Sequence, residues 1–315
     1  MAGFGELALI ERIRAGSRSR NLAVKVRIGD DGAVVRVPAG HEMVVTTDML
    51  LEGRHFRREW HSPQSAGHRC LARGLSDLAG MGARPMAAFL SLALPKGFAL
   101  AWMDGFLEGF NALAKSSKVE LAGGDMAEAP GEGIAADVVL VGAVRAGRAL
   151  LRSGADAGSF LYVTGALGGS ALELEQMQAG AAARERGSRP QTFPEPRVTT
   201  GFALTYRRLA TACMDLSDGL SSDIRRLCEA SGVGAEIQAT AIPRARGATL
   251  TQALHGGEDY ELLFTAKPWT RVPSTMGGVK ITRIGKITAE KGVRLVARDG
   301  SVAELEPGGW EHFSG

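Results

Sequence analysis

The chain has 315 residues, enough for two hydrophobic cores, and its 45% hydrophobic and 23% charged residues are typical of a globular protein. Its 37 basic and 34 acidic residues give a net charge of +3, and the basic residues form no dense block, so we expect no nucleic-acid partner. No apolar run is long enough to cross a bilayer and the first residues do not resemble a signal peptide, which predicts no membrane partner and a cytoplasmic location.

In the first half of the chain the hydrophobic pattern predicts both helices and strands. The predicted elements are a helix over Phe4 to Ile13, strands over Val34 to Val37 and Met43 to Thr47, a helix from Ser62-Pro63 to Gly82, a strand over Met86 to Leu94, a helix over Trp102 to Leu113 and a strand over Ile134 to Val144. Ser62 is the expected N-cap of the second helix, with Pro63 at its first position.

A shift toward Arg, Gly and Ala predicts a boundary near Arg148, and hence domains 1–147 and 148–315. The second half then predicts a strand over Phe160 to Thr164, a turn over Gly165 to Ser170 leading into a helix, an exposed loop over Ala179 to Pro196, a helix with Leu220, Ile224 and Leu227 on one face, a strand over Tyr260 to Thr265, and a hairpin at Asp299-Gly300. The turn could hold a phosphate at the helix N-terminus, but a tight structural turn is favoured. The fold class is therefore α/β or α+β.

The cysteines Cys70, Cys213 and Cys228 are odd in number and far apart, which predicts buried thiols rather than disulfides or a metal knuckle. No zinc site is expected, because the histidines lack metal-ligand pairing, and no P-loop is present. His55, in a loop, could bind an anionic or polar substrate group, although a solvated histidine is an equally simple interpretation.

Several aspartates stand beside Gly, Ser or Thr, where small neighbours leave room for a hydrated cation such as magnesium. They are Asp30, Asp31, Asp48, Asp77, Asp125, Asp215 and Asp218. A turn or helix cap explains any single Asp-Gly pair equally well.

Three segments favour a site more strongly. Thr46-Thr47-Asp48 is expected to bring two hydroxyls and a carboxylate together at the end of a strand. Asp77 lies one turn after Gly74 in a predicted helix, and neither residue favours a helix. In Asp215-Leu216-Ser217-Asp218-Gly219 a helix N-cap accounts for one aspartate but not for both.

Six blocks in this order resemble the thiamine-monophosphate kinase family over almost the whole chain. They are Ile28-Gly29-Asp30-Asp31, Thr46 to Phe56, Leu75 to Pro85, Gly123-Gly124-Asp125, Met214 to Leu220 and His255 to Thr265. The resemblance implies the fold shared with aminoimidazole ribotide synthetase: an N-terminal metal- and ATP-binding domain whose sheet forms a barrel with that of a second subunit, and a C-terminal domain of mixed sheet and helices that completes the nucleotide and substrate cleft.

The resemblance also implies the reaction, in which ATP and thiamine monophosphate give ADP and thiamine diphosphate with several magnesium ions, in a homodimer. The residues that it implies as magnesium ligands are Asp31, Thr46, Thr47, Asp48, Asp77, Asp125, Asp215 and Asp218, with Asp48, Asp77 and Asp218 counted as catalytic. Nucleotide contacts are implied for Gly124, Asp125, Arg152 and Ser217, and substrate contacts for His55, Glu258 and Trp310. The role of Asp30 stays open.

Two features depart from the family pattern. Gly74 stands where the family usually has asparagine, and the stretch Ala179 to Arg197 is longer than usual. Two other functions remain as alternatives: another ATP-dependent synthetase of the same fold, or a sensor that binds nucleotide or metal without catalysis.

Overall fold

The computed structural model describes residues 6–17, 19–180 and 190–309, which form two compact units. The first unit contains Arg84–Gly147 and the described residues before Ala79. The second contains Ala79–Ala83 and the described residues from Arg148 onward. Both units mix helices with largely antiparallel sheets, so the class is α+β.

The first unit is built on an open sheet of four strands. Its elements are α1 (Glu6–Gly16), β1 (Val24–Val26), β2 (Val34–Val35), β3 (His41–Leu51), α2 (Pro63–Gly80), β4 (Arg84–Leu94), α3 (Leu100–Ser117), β5 (Glu120–Glu128) and β6 (Ala135–Arg145). The strand order is β3-β6-β4-β5, with only β4 and β5 parallel, and β1 and β2 form a separate hairpin. β3 and β5 are therefore the edges of the sheet.

Helix α2 begins as the sequence predicts. The amide of Ser65 donates to the Ser62 hydroxyl at 3.2 Å, which is the expected N-cap bond, and Pro63 opens the helix. The helix ends at Gly80, two residues before the predicted end at Gly82.

Gly74 has a packing role in α2. A Cβ atom placed there would lie 2.6 Å from Cδ1 of Leu140, a wholly buried side chain of β6. The glycine therefore lets the helix approach the sheet closely, and this explains a residue that costs about 1 kcal/mol relative to alanine in a helix interior.

Strand β3 is longer than predicted and has two unlike faces. Thr46-Thr47-Asp48 lies in its middle rather than at its end, so the expectation that the chain leaves the sheet there was wrong. One face carries the buried Val44 and Leu50, whereas the side chains of Met43, Val45 and Met49 on the other face are more than half exposed. The exposed apolar residues lie on an edge strand, where a sheet is able to pair with another chain.

Strand β5 was missed by the sequence analysis, which predicted no strand over Gly123-Gly124-Asp125. Glycine and aspartate disfavour strands, but β5 pairs in parallel with β4, and Gly124 stands opposite Leu90. A Cβ atom at Gly124 would lie 1.8 Å from the carbonyl oxygen of Leu90. Close approach of the two backbones is therefore the reason for this glycine.

The second unit is built on a larger mixed sheet with helices. Its elements are β7 (Phe160–Thr164), α4 (Gly169–Gln178), α5 (Val198–Tyr206), β8 (Ala212–Asp215), α6 (Leu220–Ser231), β9 (Gly234–Gln238), the 3-10 helix Ala239–Ala241, α7 (Leu250–His255), β10 (Leu262–Ala266), β11 (Thr275–Met276), β12 (Val279–Thr288), β13 (Gly292–Val296) and β14 (Val302–Glu304). The order is β14-β13-β9-β12-β7-β10-β8, with β11 paired to β12. Only β9 and β13 are parallel.

Several predictions for this unit are confirmed. Leu220, Ile224 and Leu227 of α6 are all buried in one hydrophobic cluster. β13 and β14 form the predicted hairpin, with Asp299-Gly300 in its turn.

The prediction of an exposed loop over Ala179 to Pro196 was wrong in part, although Ala179, Gly180 and Glu195 are exposed. Gln191 and Thr192 are buried, because their polar groups bond to the buried Glu173 of α4. Residues 181–189 of this stretch lie outside the described residues.

The three cysteines are buried free thiols, as predicted. Burial raises the pKa of each, so none is ionised near neutral pH. None of the helices within the described ranges is both long and apolar enough to span a bilayer.

Candidate functional site

A polar cluster in the first unit joins the buried face of β3 to helix α2. The Thr46 hydroxyl donates to the Asp77 carboxylate. Oδ1 of Asp48 accepts from Nε and Nη2 of Arg73 at 2.9 and 2.8 Å. Strand alternation puts Thr46 and Asp48 on the same face, and the helix supplies Arg73 and Asp77 one turn apart.

Thr47 does not belong to this cluster. It points to the exposed face of the sheet, where its hydroxyl donates to Asp137 of β6 at 2.8 Å. The predicted convergence of two hydroxyls and a carboxylate was therefore wrong, because neighbouring residues of a strand face opposite sides.

His55 follows β3 in a turn that fixes its ring. The amide of Leu51 donates to its Nδ1 at 2.9 Å, and the wholly buried Arg69 donates to its carbonyl oxygen at 2.9 Å. In the neutral ring the proton then sits on Nε2, which makes that atom a donor suited to a phosphate oxygen.

A pocket of about 450 Å³, open solvent included, lies beside β5 in the same unit. Its walls are largely apolar and include Ile10 and Ile13 of α1, Ile28, and Gly124 and Asp125 of β5. The exposed Asp125 supplies a carboxylate to this pocket, and its Oδ1 accepts from the amide of Met126 at 2.9 Å.

Asp30 and Asp31 lie in an exposed turn that follows Ile28 of this pocket. The amide of Asp31 donates to Oδ1 of Asp30 at 3.0 Å. Asp30 therefore shapes the turn, and Asp31 stays at the surface.

In the second unit two loops that carry predicted site residues are hydrogen-bonded to each other. The amide of Glu258 donates to the Ser217 carbonyl at 2.7 Å, and the amide of Tyr260 donates to the Leu216 carbonyl at 2.9 Å. Glu258 has φ of +63°, a left-handed conformation that is uncommon outside glycine and that clusters at functional sites. Ser217 and Glu258 are thereby held side by side, next to the buried Asp215 at the end of β8.

Asp218 is held by two residues that the sequence analysis missed. Arg226 of α6 donates to the Asp218 carboxylate and, at 2.8 Å, to Oδ1 of Asp223. Oδ2 of Asp223 accepts the amides of Asp218 and Gly219 at 3.1 and 3.2 Å. Asp223 is wholly buried. Its pKa is raised to about 6, mainly by burial and to a smaller extent by the negative charge of Asp218. An aspartate in the first turn of a predicted helix was the available signal.

The backbone amides of the turn before α4 bind a carboxylate from elsewhere in the chain. The Asp259 carboxylate accepts the amides of Gly168 and Ser170 at 2.7 and 3.3 Å, at the N-terminus of the helix. A side chain thus occupies the place where a phosphate would bind, which supports the structural interpretation of Gly165 to Ser170.

The predicted contact Arg152 stands apart from these clusters. Arg152 is exposed, and its carbonyl oxygen accepts from Ser231 at 2.6 Å. Trp310 lies outside the described residues.

The oxygen donors present suit magnesium, which favours carboxylates and hydroxyls. Within the part of the chain that the structure describes, no three His, Cys, Asp or Glu side chains form a group that could hold a metal ion. Carboxylates and hydroxyls of this kind fit a magnesium ion that takes its other ligands from substrate phosphates and water.

The chain is similar to known protein families and to known proteins. Residues 29–144 match the N-terminal domain model, and residues 156–298 the C-terminal domain model, of AIR synthase related protein. Thiamine-monophosphate kinase of Salmonella typhimurium is 37% identical, with 98% of each chain covered.

Solved structures agree with this similarity. Thiamine-monophosphate kinase from Stenotrophomonas maltophilia K279a superposes with a TM-score of 0.81 at 35% identity, covering 95% of this chain and 98% of that one. AaThiL complexed with AMPPCP and TMP superposes with a TM-score of 0.75 at 30% identity, covering 99% of each chain.

Asp259 gives a pH-dependent prediction. Burial raises the pKa of its carboxyl from 3.8 to about 7, against the lowering effect of the backbone N–H donors. The folded chain then holds a proton that the unfolded chain has lost, so this group's contribution to the free energy of unfolding falls as the pH rises from about 4 to about 7. We expect Asp259→Asn to remove this contribution to the slope of the free energy of unfolding against pH, measured by urea unfolding between about pH 4 and about pH 7.

The control is Asp299, whose pKa is shifted in the opposite direction. Bonds from Ser301 lower the pKa of Asp299, so its contribution is lost as the pH falls, and Asp299→Asn should leave the slope above about pH 4 unchanged. An Asp259→Asn protein that keeps the wild-type slope contradicts the prediction.

Proposed function

Because this chain belongs to the thiamine-monophosphate kinase family, within the AIR synthase related proteins, we propose that it is an ATP-dependent kinase that converts thiamine monophosphate to thiamine diphosphate. The observation that carries this proposal is 37% identity over 98% of both chains. The AaThiL complex with AMPPCP and TMP supports the same pair of substrates.

Charge is the main obstacle to this reaction. Each terminal phosphate brings about −1.5 to −2 charges at neutral pH. The chain has 37 basic residues, only eight of them lysines, so its positive charge is carried mostly by arginine. Magnesium bound with the nucleotide supplies the additional positive charge, with ligands proposed from Asp31, Thr46, Thr47, Asp48, Asp77, Asp125, Asp215 and Asp218.

The proposed transfer is direct and in line, without a phosphoenzyme. The acceptor oxygen of thiamine monophosphate is already anionic, so no strong general base is needed. A loose phosphoryl transition state depends on positioning and on charge stabilisation, and residues fixed on strands and helices can supply both. Asp48, Asp77 and Asp218 are the proposed catalytic residues. The acceptor is oriented by His55 Nε2–H, Glu258 and Trp310.

The nucleotide sites are proposed on both units. Gly124 and Asp125 line the apolar pocket of the first unit, which suits a nucleobase with the carboxylate at its wall. Ser217 and Arg152 of the second unit are proposed to contact phosphate, Arg152 through its exposed guanidinium.

The homodimer is part of this proposal. Thr46 and Asp125 lie on opposite edge strands, and these strands are about 14 Å apart at about 4.8 Å per strand. Closing two such sheets into a barrel would set each edge beside an edge of the second copy, and would cover the exposed Met43, Val45 and Met49.

The first experiment measures ADP and thiamine diphosphate from ATP, magnesium and thiamine monophosphate. We expect equal amounts of both products, none from free thiamine, and a fall in kcat of at least about a hundredfold in Asp77→Asn. Asp156→Asn removes an exposed aspartate that pairs with Lys267 and should retain full activity. Binding of ATP without turnover would favour the sensor.

The pocket is tested with Ile13→Asp. A negative charge on this wall should raise the KM for ATP about tenfold and leave the KM for thiamine monophosphate unchanged. Ala15→Asp, at an exposed position of α1, is the matched control. Equal effects on both KM values would remove the pocket from nucleotide binding.

The dimer is tested with Val45→Glu. A charge on the apolar face of β3 should shift the mass in light scattering from twice 33.1 kDa to 33.1 kDa. Leu22→Glu, at a position 91% exposed, should leave the mass unchanged. A wild-type monomer, or a Val45→Glu dimer, would argue against this interface.

A further inference from the structure

Two of the proposed magnesium ligands already have a positive partner within the chain. Asp48 contacts Arg73 in the first unit, and Asp218 contacts Arg226 in the second. The same arrangement thus occurs once in each unit, and in each the arginine lies on a helix and the aspartate lies outside it.

The Arg73 contact is well enclosed. Its side chain is 14% exposed and that of Asp48 is 21% exposed. Both Nε and Nη2 bond to the same carboxylate oxygen, so the guanidinium is fixed in direction as well as in position. Asp77 lies four residues further along α2, on the same helix face as Arg73.

The Arg226 contact is more open, at 39% exposure for the arginine and 27% for Asp218. Its second bond, to the wholly buried Asp223, anchors the guanidinium independently of Asp218. The arginine can therefore release Asp218 and still keep a carboxylate partner.

A guanidinium and a magnesium ion compete for the same carboxylate oxygens. Magnesium requires ligand oxygens at short range, and a carboxylate that donates to the ion must weaken or break its bonds to arginine. At Arg226 the second carboxylate, Asp223, lowers the cost of this exchange, since the displaced cation is not left unpaired.

We infer that Arg73 and Arg226 are resident counter-ions that magnesium displaces from Asp48 and Asp218, and that they set the magnesium concentration at which the nucleotide binds. This inference rests on the proposed function and deepens it. The two arginines keep the acidic sites neutralised before the nucleotide arrives, and they delay binding until enough magnesium is present.

The test is AMPPCP binding by calorimetry at a series of magnesium concentrations. The measured quantity is the magnesium concentration that gives half of the maximal AMPPCP affinity. We expect it to fall about two- to fivefold in Arg73→Gln and in Arg226→Gln, the range of a partly exposed ion pair. Arg73→Lys, which keeps the charge, should stay close to the wild type.

The matched control is Arg294→Gln, which removes an exposed ion pair with Glu290 and should change nothing. Thermal unfolding of each variant shows whether the fold is retained. An unchanged or raised magnesium requirement in both folded glutamine variants, or AMPPCP binding that does not depend on magnesium, would overturn the inference.

Turnover of the wild type separates the two proposals. Thiamine diphosphate formation with no shift in the variants would contradict only the counter-ion role. A shift in the variants without turnover on thiamine monophosphate would contradict only the proposed reaction.

Discussion

Negative charge is the constraint on which the described sites depend. Carboxylates gathered near one another repel, and each must be balanced while it stays within reach of a ligand. The chain does this with a hydroxyl on Asp77, a guanidinium on Asp48, and backbone amides on Asp223 and Asp259. Strands and helices hold these donors, so the carboxylates are oriented before any substrate binds.

Features with a local cause could be predicted from the sequence. The start of α2 follows from Ser62 and Pro63, the buried face of α6 from its helical spacing, and the last hairpin from Asp299-Gly300, because each signal lies within a few residues of its effect. The family also followed from the sequence, since its motifs are short and occur in a fixed order.

Features with a distant cause could not be predicted. Gly124 is accommodated in β5 because of Leu90, and Gly74 in α2 because of Leu140. The partner of Thr47 lies ninety positions away, at Asp137. The carboxylate that caps α4 belongs to Asp259, far along the chain. In each case a tertiary neighbour decides between interpretations that local propensity leaves open.

The three buried cysteines divide between the units, with Cys70 in one and Cys213 and Cys228 in the other. Because a thiol reacts as its exposed thiolate, a disulfide reagent can reach these sulfurs only when the surrounding structure opens. The rate of labelling at Cys70 relative to that at Cys213 therefore reports how often each unit opens by itself. Labelling of these native cysteines therefore shows whether the two units unfold together, and no cysteine has to be introduced.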